Sequence, residues 1–193
     1  IVDRLAADGY RGRTLLREIV ASLPFRNTQG GAVSAVPMEA PRLNITAVTR
    51  LASAAAASFA KAGRGTIINI ASVVALFPER FNATYSASKA YVLSLTQSLN
   101  AELDGTGVKV QAVLPGVTRT EIWERSGIDA SQIPEDMVME AGEMVDAALA
   151  GLDQGELVTI PSLPDAGDWD AFVAARLVMA PNLSKSKAAA RYK

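Results

Sequence analysis

The chain has 193 residues, of which 49% are hydrophobic and 20% charged, a balance typical of one globular domain spanning residues 1–193. Its 19 basic and 20 acidic residues leave a net charge of −1, so we expect neither a nucleic acid nor a membrane as a partner. Because it contains no histidine and no cysteine, a His-dependent triad, a Cys/His metal site and a disulfide framework are excluded. General acid or base chemistry therefore falls to Tyr, Lys, Asp or Glu, and the cysteine-free composition favours a cytoplasmic location.

The first predicted elements are two helices, Ile1–Gly9 and Leu15–Leu23. A long alanine-rich helix is predicted at Asn44–Lys61, whose small side chains would let another helix approach closely. Next, the β-branched apolar run Thr66–Ala71 is typical of a buried strand. Ser72 lies at the carboxyl end of this strand, which is where open parallel sheets bind their ligands.

Tyr85 and Lys89 are four residues apart at the start of the next predicted helix, Tyr85–Leu103, so their side chains share one helical face. A phenol titrates near ~10 and is a poor base at neutral pH unless a neighbouring cation favours the phenolate. Lys89 is placed to supply that cation. The alternative interpretation is structural, with Ser72 capping the turn that follows it and Lys89 an exposed helix charge.

A Ser followed thirteen positions later (85 minus 72) by Tyr-x-x-x-Lys resembles the short-chain dehydrogenase/reductase family. The resemblance implies a doubly wound α/β fold with a mainly parallel, Rossmann-like sheet. It also implies hydride transfer between NAD or NADP and a small alcohol or carbonyl substrate, in a homodimer or homotetramer. In such a site Tyr85 is the general acid/base, Lys89 lowers the pKa of the phenol and both hold the cofactor, while Ser72 hydrogen-bonds the substrate oxygen.

Two further segments match the family's order. Asn44 lies where family members have an Asn whose backbone holds a water in a proton relay from the Lys, although Asn is also favoured as an ordinary N-cap. After the predicted strand Val108–Leu114, the run Pro-Gly-Val-Thr-Arg-Thr resembles the family's Pro-Gly-x-x-x-Thr turn, which meets the nicotinamide. The cofactor-binding candidates implied there are Pro115, Gly116, Thr118 and Thr120.

Residues 117–133 resemble the family's mobile substrate loop. Together with Ser72, the side chains expected in the substrate pocket are Val74, Phe77, Ile122 and Trp123. This apolar set predicts an apolar substrate, because a charged one would find only Arg119 or Arg125 to pair with.

The remaining predicted elements lead to the carboxyl end of the chain. A helix is predicted at Pro134–Leu152, with acidic residues in its first turn and a glycine beyond its end. A last strand follows at Glu156–Pro161, and an amphipathic helix at Asp168–Ala180.

The first 43 residues are too few for the family's amino-terminal half. Each βαβ unit needs ~30 residues or more, and the family's first four strands need about three such units before Asn44. No Gly-x-x-x-Gly-x-Gly turn, which would bind the cofactor's pyrophosphate, occurs in the chain. We therefore expect a sheet that is incomplete in its amino-terminal half, from a sequence that is truncated or that joins fragments of a longer chain. In the second case we expect junctions close to Arg11, from Pro24 to Asn27, and between Arg42 and Leu43. A much-reduced natural variant is the alternative.

Two other hypotheses about function stay open. The missing Gly-rich turn favours a non-enzymatic binding or scaffold protein with a dead cofactor site. Sugar-nucleotide epimerases and dehydratases share Tyr-x-x-x-Lys, but they resemble the chain less because they add a substrate domain and only 104 residues follow Lys89 (193 minus 89). The sequence leaves open the choice between NAD and NADP, the identity of the substrate and the direction of the reaction.

Overall fold

The computed structural model describes residues 42–81, 83–120 and 133–193. The chain divides into two compact units after Pro161. The second unit, Ser162–Lys193, has no buried residue and hence no core of its own, so the single domain predicted over residues 1–193 stays a prediction. The helices predicted at Ile1–Gly9 and Leu15–Leu23 lie outside the described residues.

The first unit alternates helices and strands. The helices are α1 (Val48–Ala62), α2 (Ala83–Glu102) and α3 (Ala141–Gln154). The strands are β1 (Gly65–Ile70), β2 (Val108–Val113), β3 (Thr118–Arg119), β4 (Met139–Glu140) and β5 (Val158–Thr159). β1, β2 and β5 form one sheet in that order, with both pairs parallel, and β3 and β4 form a second parallel pair. The predicted α/β fold with a mainly parallel sheet is confirmed.

Helices cover both faces of the larger sheet. On one face, Ala52 and Ala56 of α1 pack with Ile67 of β1 and with Leu99 of α2. On the other face, Val113 of β2 packs with three buried side chains of α3, which are Met144, Val145 and Ala148. Full burial of an aliphatic side chain contributes ~1.5–3 kcal/mol, so these two clusters hold the helices to the sheet and make it doubly wound.

Helix ends in this unit are set by glycine. α1 ends at Gly63, with φ 67°, and α3 ends at Gly155, with φ 83°, and each backbone N–H returns to carbonyls of its last helical turn. Glycine adopts this left-handed conformation without steric penalty, so both helices stop where the chain must turn back toward the sheet.

A buried polar network joins β2 to the two elements beside it. Gln111 of β2 is fully buried, and its Nε2 donates to the Ala148 carbonyl of α3 and to the Thr159 hydroxyl of β5, both at 2.8 Å. Thr159 in turn donates to a Glu156 carboxylate oxygen at 2.7 Å. Side-chain hydrogen bonds therefore supplement the two-residue ladder between β2 and β5.

The helix predicted at Pro134–Leu152 begins later than expected. Glu135–Met137 form a 3₁₀ turn and Met139–Glu140 pair with β3 instead of joining a helix. The Met139 N–H donates to the Val117 carbonyl at 3.0 Å, and this tertiary bond takes the group that a helix would have used. The prediction is therefore wrong over its first seven residues (141 minus 134), and right from Ala141 onward.

The start of the alanine-rich helix also differs from the prediction. Asn44 lies inside a π-helical turn, Arg42–Ala47, and the residue that precedes α1 is Ala47, without a side-chain cap. The interpretation of Asn44 as an N-cap is therefore wrong. Arg42 and Leu43 both belong to this turn, and the junction expected between them stays a prediction. The junctions expected close to Arg11 and from Pro24 to Asn27 lie outside the described residues.

The described elements of the second unit are one α-helix, α4 (Ala166–Val178), and two short 3₁₀ turns, Ala180–Asn182 and Ala190–Tyr192. α4 begins two residues before the predicted Asp168, because the Asp165 carboxylate caps it by accepting the Gly167 N–H at 2.8 Å. Across the three described ranges, none of the helices is both long and apolar enough to cross a bilayer.

Candidate active site

Ser72 lies two residues beyond the last residue of β1, at the carboxyl end of the strand as the sequence predicts. Its Oγ donates to the Pro115 carbonyl and accepts the Val74 N–H, both at 3.4 Å, and the Val73 N–H reaches the same carbonyl at 3.1 Å. Pro115 follows β2, so these bonds hold together the carboxyl ends of two neighbouring parallel strands. Ser72 therefore caps the turn that follows it, as the alternative interpretation has it, and its hydroxyl also contacts the end of the neighbouring strand.

Lys89 is buried, with only 5% of its surface exposed. Its Nζ donates to the carbonyl of Ile70, the last residue of β1, at 3.0 Å. Desolvation by burial lowers the pKa of the ammonium from 10.5 to about 8. The alternative of an exposed helix charge is therefore wrong. The ammonium binds the carbonyl at the carboxyl end of β1, two residues before Ser72 in the chain.

Tyr85 and Lys89 share one face of α2, as their spacing predicts. The Lys89 Nζ lies 5.7 Å from the centroid of the Tyr85 ring, within the range of a cation–π contact. Tyr85 itself is half-buried, one helical turn nearer the start of α2. The ammonium of Lys89 therefore lies beside the aromatic ring of Tyr85 on one face of α2.

Asn44 reaches the same helix from the π-helical turn. It is buried, and its Nδ2 donates to the Ser88 Oγ at 3.4 Å. Ser88 donates in turn to the Tyr85 carbonyl at 2.8 Å. π-helical turns are frequent at functional sites. Here the turn brings the Asn44 side chain to Ser88, the residue before Lys89. Ser88 was not singled out from the sequence, where its one signal is its place directly before Lys89.

The segment after β2 contains the four residues predicted to bind the cofactor, and their role stays a prediction. Pro115 is buried, Gly116 is exposed, and the Thr118 hydroxyl donates to the Gly116 carbonyl at 3.3 Å. Thr120 is half-buried at the end of the described segment. The exposed backbone at Gly116 and the hydroxyls beside it thus lie at the carboxyl end of the sheet, where Ser72 also lies.

Only part of the expected substrate pocket falls within the described residues. Val74 is buried, whereas Phe77 is 60% exposed and presents its ring to solvent. Ile122 and Trp123 lie outside the described residues. Arg119, a possible partner for a charged substrate, forms an ion pair with Glu140 across β3 and β4. In the described ranges, His, Cys, Asp and Glu form no group of three or more that could hold a metal ion.

Comparison with known proteins identifies the family. The family model described as short chain dehydrogenase matches residues 34–130, just over half of the chain. A 2,5-dichloro-2,5-cyclohexadiene-1,4-diol dehydrogenase of Sphingobium indicum is 33% identical over 136 residues, which cover 66% of this chain and 53% of that protein. The chain therefore spans about half the length of these curated relatives.

Solved structures agree with this assignment. A short-chain dehydrogenase from Sphingobium yanoikuyae in complex with NADPH is 44% identical, with a TM-score of 0.79, and the match covers 94% of this chain and 75% of that one. A bulky-bulky ketone specific alcohol dehydrogenase from Comamonas testosteroni is 42% identical, with a TM-score of 0.75, and the match covers 93% of this chain and 71% of that one. With its Rossmann-like sheet, its Ser-Tyr-Lys constellation and these relatives, the chain belongs to the short chain dehydrogenase family.

Proposed function

We propose that the protein is an NAD(P)-dependent oxidoreductase that interconverts an alcohol and a ketone or aldehyde, with Tyr85 as its general acid/base. The observation that carries the proposal is the buried Lys89 ammonium, fixed on the Ile70 carbonyl and 5.7 Å from the Tyr85 ring centroid. A buried cation is costly to maintain, and a lysine that only packed would be replaced by an apolar residue at lower cost. Its retention beside a phenol at a strand end supports a chemical role.

The residues present fit the nicotinamide and ribose half of a dinucleotide. An ammonium and a phenol (Lys89 and Tyr85) can hydrogen-bond ribose hydroxyls, and the exposed Gly116 backbone can meet a carboxamide. We assign Pro115, Thr118 and Thr120 to the same turn. NADPH in the Sphingobium yanoikuyae relative supports testing that cofactor first, and the choice between NAD and NADP stays open.

In the direction of reduction, Ser72 and Tyr85 bind the carbonyl oxygen by donating hydrogen bonds to it. A nicotinamide cofactor held by Lys89, Tyr85 and the Gly116 turn would supply the hydride that the carbonyl carbon accepts. Tyr85 then gives its proton to the oxygen, which completes the alcohol, and the positive charge of Lys89 stabilises the phenolate that remains. Asn44, in the turn that contacts α2, is the fourth residue assigned to catalysis, with its backbone holding a water in a proton relay from Lys89.

We propose an apolar ketone as the substrate class. The Phe77 ring is exposed near the strand end, the Arg119 charge is engaged by Glu140, and Ile122 and Trp123 belong to the proposed substrate loop, residues 117–133. Val74, which is buried within the turn that follows Ser72, is also assigned to the pocket. The ketone specificity named for the Comamonas testosteroni relative supports this choice.

An aryl ketone is therefore expected to be reduced at least about tenfold faster, in kcat/KM, than a phosphorylated sugar, because an unpaired phosphate would be desolvated in an apolar pocket. Loss of NADPH and NADH absorbance measures both rates, and a matched sugar without its phosphate serves as the control. Faster reduction of the phosphorylated sugar would contradict the proposal. Enhanced nicotinamide fluorescence without turnover of any ketone or alcohol would favour a scaffold protein, and no fluorescence change would exclude the cofactor.

We also propose a homodimer or homotetramer in which α1 and α2 pack against their symmetry mates. Leu51 on the outer face of α1 is 72% exposed, among small alanine side chains that allow helices to approach closely. Light scattering at micromolar concentration is expected to give at least twice the mass of one chain, and Leu51→Glu is expected to lower it. A monomer under these conditions, or an unchanged mass for Leu51→Glu, would argue against this interface.

We also propose that the partner of this chain is a small molecule and that its location is cytoplasmic. A net charge of −1 makes a small molecule a better partner for this chain than a nucleic acid. A cytoplasmic location stays a prediction from the cysteine-free composition.

A further inference from the structure

The hydroxyl of Ser88 joins two segments that carry the site. Ser88 lies in α2 directly before Lys89 and is 2% exposed. Its Oγ donates to the Tyr85 carbonyl at 2.8 Å and accepts a hydrogen bond from the Asn44 Nδ2 at 3.4 Å. One buried hydroxyl thus contacts both the residue that carries the phenol and a residue of the π-helical turn.

Burial makes this small contact consequential. The bond from Ser88 to the Tyr85 carbonyl is local within α2, so it fixes the rotamer of the hydroxyl and aims its lone pairs. Asn44 is itself buried, and a buried amide that loses its partner carries its full desolvation penalty. The Asn44 side chain is therefore held where the Ser88 Oγ lies, and the turn that carries Asn44 is held against α2.

Ser86, two residues earlier in α2, provides a natural comparison. It is also buried, at 1% exposure, and it adjoins Tyr85 as Ser88 adjoins Lys89. Its Oγ, however, has no hydrogen-bond partner among the residues that the structure describes. The two serines therefore have the same side chain, similar burial and the same helix. They differ in that the Ser88 hydroxyl forms hydrogen bonds and the Ser86 hydroxyl forms none with the described residues.

We propose that Ser88 is a positioning residue whose hydroxyl, oriented by the Tyr85 carbonyl, holds the Asn44 side chain and so fixes the π-helical turn against the start of α2. The effect of Ser88 on turnover rests on the proposed function, in which Asn44, Tyr85 and Lys89 act together and must keep fixed positions relative to one another. The physical link between Ser88 and Asn44 does not depend on that function. The two parts are therefore tested by separate measurements.

The first measurement follows the side-chain amide of Asn44 by NMR in the full protein labelled with ¹⁵N-asparagine, with the resonance assigned by its loss in Asn44→Ala. Ser88→Ala is expected to speed hydrogen exchange of this amide by about tenfold or more, whereas Ser86→Ala leaves it unchanged. Unchanged exchange in Ser88→Ala, or the same acceleration in both variants, would overturn the proposal. This measurement decides the link even if the protein reduces no ketone.

The second measurement compares steady-state kinetics with an aryl ketone. Ser88→Ala is expected to lower kcat by about tenfold with little change in KM, and Ser86→Ala to change neither. In an Asn44→Ala background, the further change Ser88→Ala is expected to lower kcat by less than about twofold, because Ser88 acts through Asn44. Fully additive losses, or equal losses in both serine variants, would contradict a positioning role. A wild-type protein without turnover would instead refute the proposed function.

Discussion

Tyr85→Phe is expected to lower kcat by about 10²–10⁴-fold while leaving the affinity for the nicotinamide cofactor nearly unchanged. The substitution removes one hydroxyl, which acts in proton transfer, and keeps the ring that packs beside Lys89. Steady-state reduction of an aryl ketone measures the loss, and a fluorescence titration with NADPH measures the affinity. A variant with turnover near that of the wild type would refute the assignment of Tyr85 as general acid/base.

Tyr91→Phe is the matched control for this experiment. Tyr91 is on the same helix as Tyr85. Its hydroxyl forms a partly buried hydrogen bond of 2.6 Å with the Thr49 hydroxyl of α1. Its loss is expected to reduce stability by ~1 kcal/mol and to leave kcat within about twofold. Equal losses of kcat in both variants would mean that α2 had been disturbed and that the phenol of Tyr85 has no special role.

Lys89→Met is expected to abolish measurable turnover, to weaken cofactor binding, and yet to stabilise the fold at pH 7. Burial lowers the pKa of Lys89 from 10.5 to about 8, so the native state holds the charged form at a disadvantage of ~3 kcal/mol, at ~1.36 kcal/mol for each pKa unit. Between pH 8 and 10.5 the unfolded chain binds the proton more than the native chain does, so the stability of the wild type rises with pH across this window. The stability advantage of the variant should therefore shrink as the pH rises.

Urea unfolding at pH 7 and pH 10 tests this expectation, with Lys61→Met, on the exposed last turn of α1, as the control. The control is expected to differ little from the wild type, because the Lys61 side chain is exposed. A Lys89→Met variant less stable than the wild type at pH 7 would contradict the proposed cost of burial. If turnover fell while cofactor affinity did not, the double role assigned to Lys89 would be wrong.

The parts of the fold that were predictable from the sequence are those fixed by local pattern. The strand predicted at Thr66–Ala71 is observed one residue earlier, at Gly65–Ile70, because a run of β-branched residues has few alternatives between two helices. The shared face of Tyr85 and Lys89 was predictable for the same reason, since a four-residue spacing in a helix leaves one outcome. Local sequence patterns were thus enough to predict both the strand and the pairing of Tyr85 with Lys89 in the candidate site.

What sequence patterns missed depends on contacts between distant segments. Residues Met139–Glu140 were predicted as helix, but they pair with β3, some 20 residues earlier (139 minus 119), which no local spacing reveals. The π-helical turn at Asn44 also escaped prediction, because its one-residue change of hydrogen-bond register leaves no compositional trace. Ser88 was missed because its importance arises only when Asn44, 44 residues away, reaches it.

The polar network at Gln111 bears on how the chain avoids misfolding. The pairing of β2 with β5 involves only two residues on each strand, Ala112 and Val113 against Val158 and Thr159, too few to select one alignment by themselves. A slip of one residue would turn the Thr159 hydroxyl to the opposite face and leave the buried Gln111 amide without this acceptor. Gln111 would keep its bond to the Ala148 carbonyl but would have one buried N–H without an acceptor. The cost of that unsatisfied donor, ~1–3 kcal/mol, thus discriminates against the slipped alignment and lets a very short strand dock in a single position.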